Sequence, residues 1–257
     1  MTLPASRSEA LRRTFDEDGS VVVRGVLDAA IVAEMSAHVD WLQAQHPELR
    51  GEDLGHELVA DDPFWLRVVA DDRLLDLAEV FVGPDIALFA SHYISKPPRS
   101  GRPVLWHQDA GYWPLDPMEV VTLWVAVDPS TTANGCLRVV PGSHRHGVHA
   151  MRDRGDVASV FGNESAVAVE ETAVVDLVLD PGDVEIHHPN MLHSSRANTS
   201  DTRRCGLTIR YIPTSTRITS DRQPYPSAFH LRGAPGVNAY QPHPVYDASR
   251  HFPFTTR

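Results

Sequence analysis

From residue 85 onward the chain breaks into short, β-branched apolar runs separated by turn signals, and this pattern constrains the fold more than any other feature. The runs are "IALFASHYI" (86–94), "VLWHQ" (104–108), "VVTLWVAVD" (120–128), "CLRVVPGS" (136–143), "AVVDLVLD" (173–180), "DVEIHH" (183–188) and "RRCGLTIRYIP" (203–213). "ANG" at 133–135, "PG" at 141–142 and 181–182, and "ANTSD" at 197–201 punctuate them. Each run has strand length, and β-branched and aromatic residues suit a pleated, half-buried surface. Many short strands without intervening helical periods argue for a β-sandwich of the jelly-roll kind, and against a parallel sheet wound with helices.

The first third reads differently. Residues 5–16 suit a short helix and "GSVVVRGVLD" (19–28) a strand. In 28–46, Ile31, Val32, Met35, Val39 and Leu42 recur at helical spacing behind Asp28, a natural N-cap. After a polar stretch at 47–62, one further helix is expected over roughly 63–81. Residues 214–257, rich in proline and aromatics, are expected to be an irregular tail that wraps the sheet and closes over the site as a lid. The whole, 1–257, reads as a single domain: a helical part (1–84), a mainly β core (about 85–213) and the tail (214–257).

Charge narrows the function. With 23 basic and 34 acidic residues, the net charge of −11 opposes a nucleic-acid role. Cys136 and Cys205 form no CxxC, which fits a reducing compartment and excludes a zinc–thiolate site. "MTLPASRSEALRRTF" carries no apolar signal region and no run approaches membrane-spanning length. A cytoplasmic enzyme without membrane or nucleic-acid partners is therefore expected. The sequons at Asn163 and Asn198 are read as chance.

The chemistry concentrates in "VLWHQDAGYW" (104–113). On a strand, residues i and i+2 share a face, about 6.6 Å apart along the chain, so His107 and Asp109 can reach one ion. A third ligand must come from elsewhere, and "GDVEIHHPNMLHSSRANTSDTRRCGLTIR" (182–210) offers His187, His188 and His193. Two imidazoles and one carboxylate with three adjacent positions open is the facial arrangement of non-haem Fe(II) oxygenases. The helical HExxH of zinc hydrolases is absent.

Several motifs occur in a fixed order: "FDEDGSVVVRGVLD" (15–28), "ISKPP" (94–98), "HQDAGYWP" (107–114), "LWVAVD" (123–128), "NGCLRVVPGSH" (134–144) and the segment from Gly182 to Arg204. In this order they resemble the phytanoyl-CoA dioxygenase (PhyH) family, over roughly residues 12–213. The resemblance implies a double-stranded β-helix (jelly-roll, cupin-like) with packed N-terminal helices. It also implies Fe(II) with 2-oxoglutarate as co-substrate, decarboxylated to succinate and CO2 as dioxygen is used to hydroxylate a small metabolite or natural-product intermediate. Carried over by position, it implies His107, Asp109 and His193 as metal ligands. Arg204, eleven residues after His193, would grip the far carboxylate of 2-oxoglutarate, and Ser195 would donate to it. Trp124 would line that pocket, and His92, on the strand before "SKPP", would touch the co-substrate. Related halogenases carry a small residue where this chain has Asp109, so the carboxylate favours hydroxylation.

The remaining residues have plainer readings. His187 and His188 are expected to be structural or pocket-lining, and "SHRHGVH" (143–149) a solvated loop. Arg203 and Arg210 are read as surface or substrate groups, and Tyr112 and Trp113 as substrate-stacking or loop-packing residues. Two other classes stay open: a jelly-roll binding protein without turnover, and a cupin-type metal-dependent hydrolase or isomerase.

Overall fold

The computed structural model describes residues 3–220 and 228–254. Among the described residues the first 82 hold four α-helices, with one strand between the first two: α1 (Ala5–Asp18), α2 (Ala29–Gln45), α3 (Pro63–Val69) and α4 (Asp72–Val82). In α2 the expected apolar face is buried, and Asp28 caps the helix by accepting from the N–H groups of Ala30 and Ile31 at 2.9 and 3.1 Å. The single helix expected over 63–81 is two. Asp71 adopts an extended conformation (ψ 127°) and accepts from the N–H of Arg73, so it ends one helix and caps the next. The polar stretch before them forms two 3-10 turns that bury Glu52 and Val59.

The strands are β1 (Ser20–Val23), β2 (Ile86–Lys96), β3 (Val104–His107), β4 (Leu115–Asp116), β5 (Val121–Ala126), β6 (Leu137–Val139), β7 (Met151–Asp153), β8 (Asn163–Ser165), β9 (Val175–Leu177), β10 (Val184–His187), β11 (His193–Ser195), β12 (Arg204–Pro213), β13 (Arg217–Ile218) and β14 (Phe229–Arg232). A six-stranded sheet runs β1-β10-β5-β12-β2-β14, and a four-stranded sheet β3-β11-β6-β9. The pairings within both are antiparallel. Non-sequential neighbours such as β10 beside β5 and β11 beside β3 are the crossovers of a jelly roll.

Alternation along the strands decides what each face carries. Leu123, Val125, Ile186, Leu207, Ile209 and Tyr211 point outward and join the helices in the main hydrophobic core. The opposite positions, Thr122, Trp124, Arg204, Thr208, Arg210 and His187, face a pocket shared with His107, His193 and Ser195 of the smaller sheet. The helices thus close one side of the large sheet and leave its polar face to build a site.

The tail is more regular than expected. β13 pairs with β4, and β14 extends the large sheet at β2. Near the end, Phe252 packs on Phe64 and His38 at ring-centroid distances of 5.0 and 5.2 Å, against the helices. None of the described tail residues lines the inner pocket, and residues 221–227, part of the expected lid, lie outside the described residues.

Candidate metal centre and adjoining pocket

β3 ends at His107, and Asp109 opens a 3-10 turn (Asp109–Gly111) rather than continuing the strand. Gln108 between them stays extended (φ −124°, ψ 126°), so the alternation that aims both neighbours inward survives. Gln108 itself is fully buried. Its amide donates to the carbonyls of Gly147 and Asn190 and accepts from the N–H of His149, which ties the 143–149 loop down. On the neighbouring strand, His193 sits directly opposite His107 in the β11–β3 register.

The three side chains converge. His107 Nε2 and His193 Nε2 lie 3.7 and 3.9 Å from Asp109 Oδ1, and one ligand atom from each residue falls within 4.8 Å of the others. Nδ1 of His107 lies 2.8 Å from the Leu105 carbonyl, and Nδ1 of His193 lies 2.9 Å from that of Met191. Each carbonyl can only accept, so Nδ1 carries the hydrogen and the Nε2 lone pairs face Asp109. Burial lowers His107 and takes His193 well below the ordinary histidine value. Burial pushes Asp109 up, but Arg210 and the neighbouring imidazoles outweigh it and hold the carboxyl well below its ordinary range. Two neutral imidazoles beside an ionised carboxylate are ready for a divalent cation.

From this centre the pocket runs between the sheets to Arg204, walled by Ile94, Val104, Trp124, Leu137 and Ser195. Arg204 is 1% exposed and its guanidinium stacks on Trp124, 4.8 Å from the ring centroid. Among the described residues no carboxylate pairs with it, and its Nε has no acceptor. Burial brings Arg204 down to about 10, so it stays charged at neutral pH. A buried cation without a counter-ion is costly, and a bound dicarboxylate would supply one. Lys96, across the β2–β12 register from Arg204, donates to Ser195 Oγ at 2.7 Å and to the Arg196 carbonyl at 2.6 Å.

Comparison with known proteins agrees with this geometry. A family model described as Phytanoyl-CoA dioxygenase (PhyH) matches residues 15–206.

The chain belongs to the PhyH family.

Phytanoyl-CoA dioxygenase 1 of Oryza sativa subsp. japonica is 30% identical over 175 residues, 68% of this chain and 62% of that one. The match thus spans less than two thirds of that relative's length. Among solved structures, the apo form of the non-heme monooxygenase ThoJ is 29% identical with a TM-score of 0.79, covering 91% of this chain and 88% of that one. The non-heme alpha ketoglutarate dependent epimerase SnoN from nogalamycin biosynthesis is 26% identical with a TM-score of 0.71, covering 92% and 97%. PhyH-family proteins are Fe(II)/2-oxoglutarate-dependent oxygenases, and the donor set and buried arginine of this chain fit both groups.

Within this PhyH-family site, His107, Asp109, His193, Ser195, Trp124 and Arg204 all line one pocket. His92 does not. It is buried on β2, where its Nδ1 accepts from Arg210 Nη1 at 2.9 Å, and Arg210 in turn lines the pocket. Burial and the charge on Arg210 hold His92 well below the ordinary histidine value, which suits an accepting nitrogen. His188 lies away from the centre, packed with tilted ring planes between Phe15 and His144. Arg203 is an outward residue, paired with Asp128 and Asp40. Tyr112 and Phe161 flank His107 at the mouth, while Trp113 packs on Phe89 and Arg210. Asn198 is fully buried and bound to three carbonyls, so its sequon is structural.

Gly206, Thr122, Lys96, Glu185 and Phe161 were not singled out from the sequence. A Cβ at Gly206 would lie 2.0 Å from the Trp124 ring, so only glycine lets that indole lie flat across β12. The period-2 alternation of β12 places Gly206 between Arg204 and Thr208 on the inner face, a signal that could have found it.

Proposed function

We propose that this chain is an Fe(II)/2-oxoglutarate-dependent dioxygenase that hydroxylates a small metabolite or natural-product intermediate in the cytoplasm. The observation that carries the reading is the buried, unpaired Arg204 at the far end of a pocket whose other end is the His107–Asp109–His193 cluster. Metal-assisted hydrolysis does not by itself call for a buried cation there, whereas a dicarboxylate co-substrate does.

His107 Nε2, Asp109 Oδ1 and His193 Nε2 would hold Fe(II). Bound there, the iron supplies oxygen activation coupled to decarboxylation of 2-oxoglutarate to succinate and CO2. Arg204 offers its planar guanidinium to the distal carboxylate, a bidentate fit that lysine does not copy. Because Lys96 donates to Ser195 Oγ, the Ser195 hydroxyl hydrogen is left to donate to the same carboxylate. Trp124, Ile94, Val104 and Leu137 supply apolar walls that exclude water. His92 accepts from Arg210 and so positions a guanidinium that lines the pocket. The carboxylate at 109 occupies a position that halide would need, which favours hydroxylation.

The test is oxygen-dependent formation of succinate from 2-oxoglutarate with Fe(II). The parent should produce succinate, with Asp109→Ala reduced at least 100-fold. A parent that forms none under any oxygen tension, or that hydrolyses esters or amides with zinc instead, is not an oxygenase.

A further inference from the structure

The two oxygens of Asp109 have different surroundings. Oδ1 faces both candidate ligand imidazoles. Oδ2 accepts from Thr122 Oγ1 at 3.1 Å and lies 3.5 Å from His187 Nε2. The other nitrogen of His187, Nδ1, is 2.7 Å from Glu185 Oε2.

Register explains the arrangement. Glu185 and His187 are i and i+2 on β10, so both face inward, and His187 is the cross-strand partner of Thr122 on β5. All are buried: Glu185 is 0% exposed and His187 2%. Glu185 Oε1 has no hydrogen-bond partner among the described residues. A buried carboxylate is costly unless something requires it, and here it meets an imidazole that reaches a second carboxylate. A carboxylate oxygen thus stands at each ring nitrogen of His187.

We propose that Glu185 and His187 act as a positioning pair that holds Asp109 as a one-oxygen ligand. The proposal rests on the function reading above. Glu185 fixes the His187 ring at Nδ1, and Nε2 together with the Thr122 hydroxyl holds Oδ2 away from the metal. At 3.5 Å the His187 contact is the longer of the two at Oδ2, beside the 3.1 Å bond from Thr122. The consequence concerns vacancies. An unheld carboxylate can chelate through both oxygens and consume one of the three positions that a chelating keto acid and a third ligand need. Held at Oδ2, Asp109 leaves all three open. Partners of metal ligands tune affinity by about 10- to 100-fold.

The experiment titrates Co(II) anaerobically into the parent, His187→Leu, His187→Gln and Glu185→Gln, with the Co(II) visible spectrum recorded at saturation. Pulsed electron paramagnetic resonance of the Cu(II)-loaded proteins counts coordinated imidazoles, and thermal unfolding checks the fold. Co(II) should bind His187→Leu about 10- to 100-fold more weakly, with an altered spectrum and two imidazoles in parent and variant alike. His187→Gln, which keeps an N–H donor, should recover most of the affinity. Should His187→Leu fail to fold, Glu185→Gln carries the test with a smaller loss in the same direction. Unchanged affinity and spectrum in the folded variants overturn the proposal. Three imidazoles in the parent and two in His187→Leu also overturn it, because His187 is then a ligand. A parent that takes up no metal overturns the function reading and this inference together. A parent that binds metal while the variants match it overturns the inference alone.

Discussion

Arg204 carries its charge in the pocket stacked on an indole, and among the described residues no carboxylate pairs with it, so a ligand carboxylate would supply the counter-ion. Removing one member of a buried, charge-assisted pair costs about 2–4 kcal/mol, or about 30- to 1000-fold in affinity. Arg204→Ala should therefore bind 2-oxoglutarate that much more weakly by calorimetry while keeping its metal affinity. Equal 2-oxoglutarate affinity in the variant would remove Arg204 from the site. Lys96 leads to a pH effect. Burial and the charge on Arg204 bring it from its ordinary 10.5 to about 6. Between those values the unfolded chain binds one more proton than the folded one, so stability rises with pH across that window. The contribution is fully present above 10.5 and lost as pH falls to 6. One proton gives at most about 1.4 kcal/mol per pH unit. Urea unfolding at pH 6.5 and 8.5 should show the parent gaining stability relative to Lys96→Met, and equal pH slopes would contradict the assignment. At this scale the sequence was partly legible. The i, i+2 spacing puts His107 and Asp109 on one strand face, while the choice of His193 and Arg204 came from the resemblance to the PhyH family. Lys96, Glu185 and Thr122 gain their meaning only through tertiary contacts, which join residues about a hundred positions apart, as with Lys96 and its register partner Arg204.

β12 shows how an element can be specified by a residue with no side chain. Its inward positions hold Arg204, Gly206, Thr208 and Arg210, and the Trp124 ring fills the space over Gly206. Gly206→Ala should force the indole off the strand, at an overpacking cost of about 1–3 kcal/mol. Arg204 would lose its stacking surface with it, so 2-oxoglutarate affinity should fall along with the melting temperature. Melting and 2-oxoglutarate titration of the variant check this, and a loss of stability with unchanged affinity would detach Trp124 from the pocket. α1, α2 and the longer strands were readable because periods of two and of about three and a half are properties of the sequence itself, whereas the short β4, β7, β8, β11, β13 and β14 were not expected. The break between α3 and α4 was not, because the apolar period runs straight through it and only the Asp71 side chain, turned back to cap Arg73, divides it.

For the molecule as a whole, the run of short strands pointed to a jelly roll, and the crossovers that make one appear in both sheets. The course of the tail was not legible. Its strands borrow an existing sheet edge at β2 and a partner at β4, and its last aromatics find the helices, none of which leaves a local pattern. The two sheets meet at the polar face of β5, β10 and β12 and turn this fold into a site, and we propose that there His107, Asp109 and His193 hold Fe(II) while Arg204 holds 2-oxoglutarate. It is tested most directly by anaerobic titration of 2-oxoglutarate into the Fe(II)-loaded protein, following the weak visible absorption band of the ternary complex. The band should saturate at one equivalent of 2-oxoglutarate, be absent without Fe(II), and be lost in His193→Ala. A protein that binds Fe(II) and 2-oxoglutarate stoichiometrically yet gives no band, or one whose band survives His193→Ala unchanged, would contradict the account.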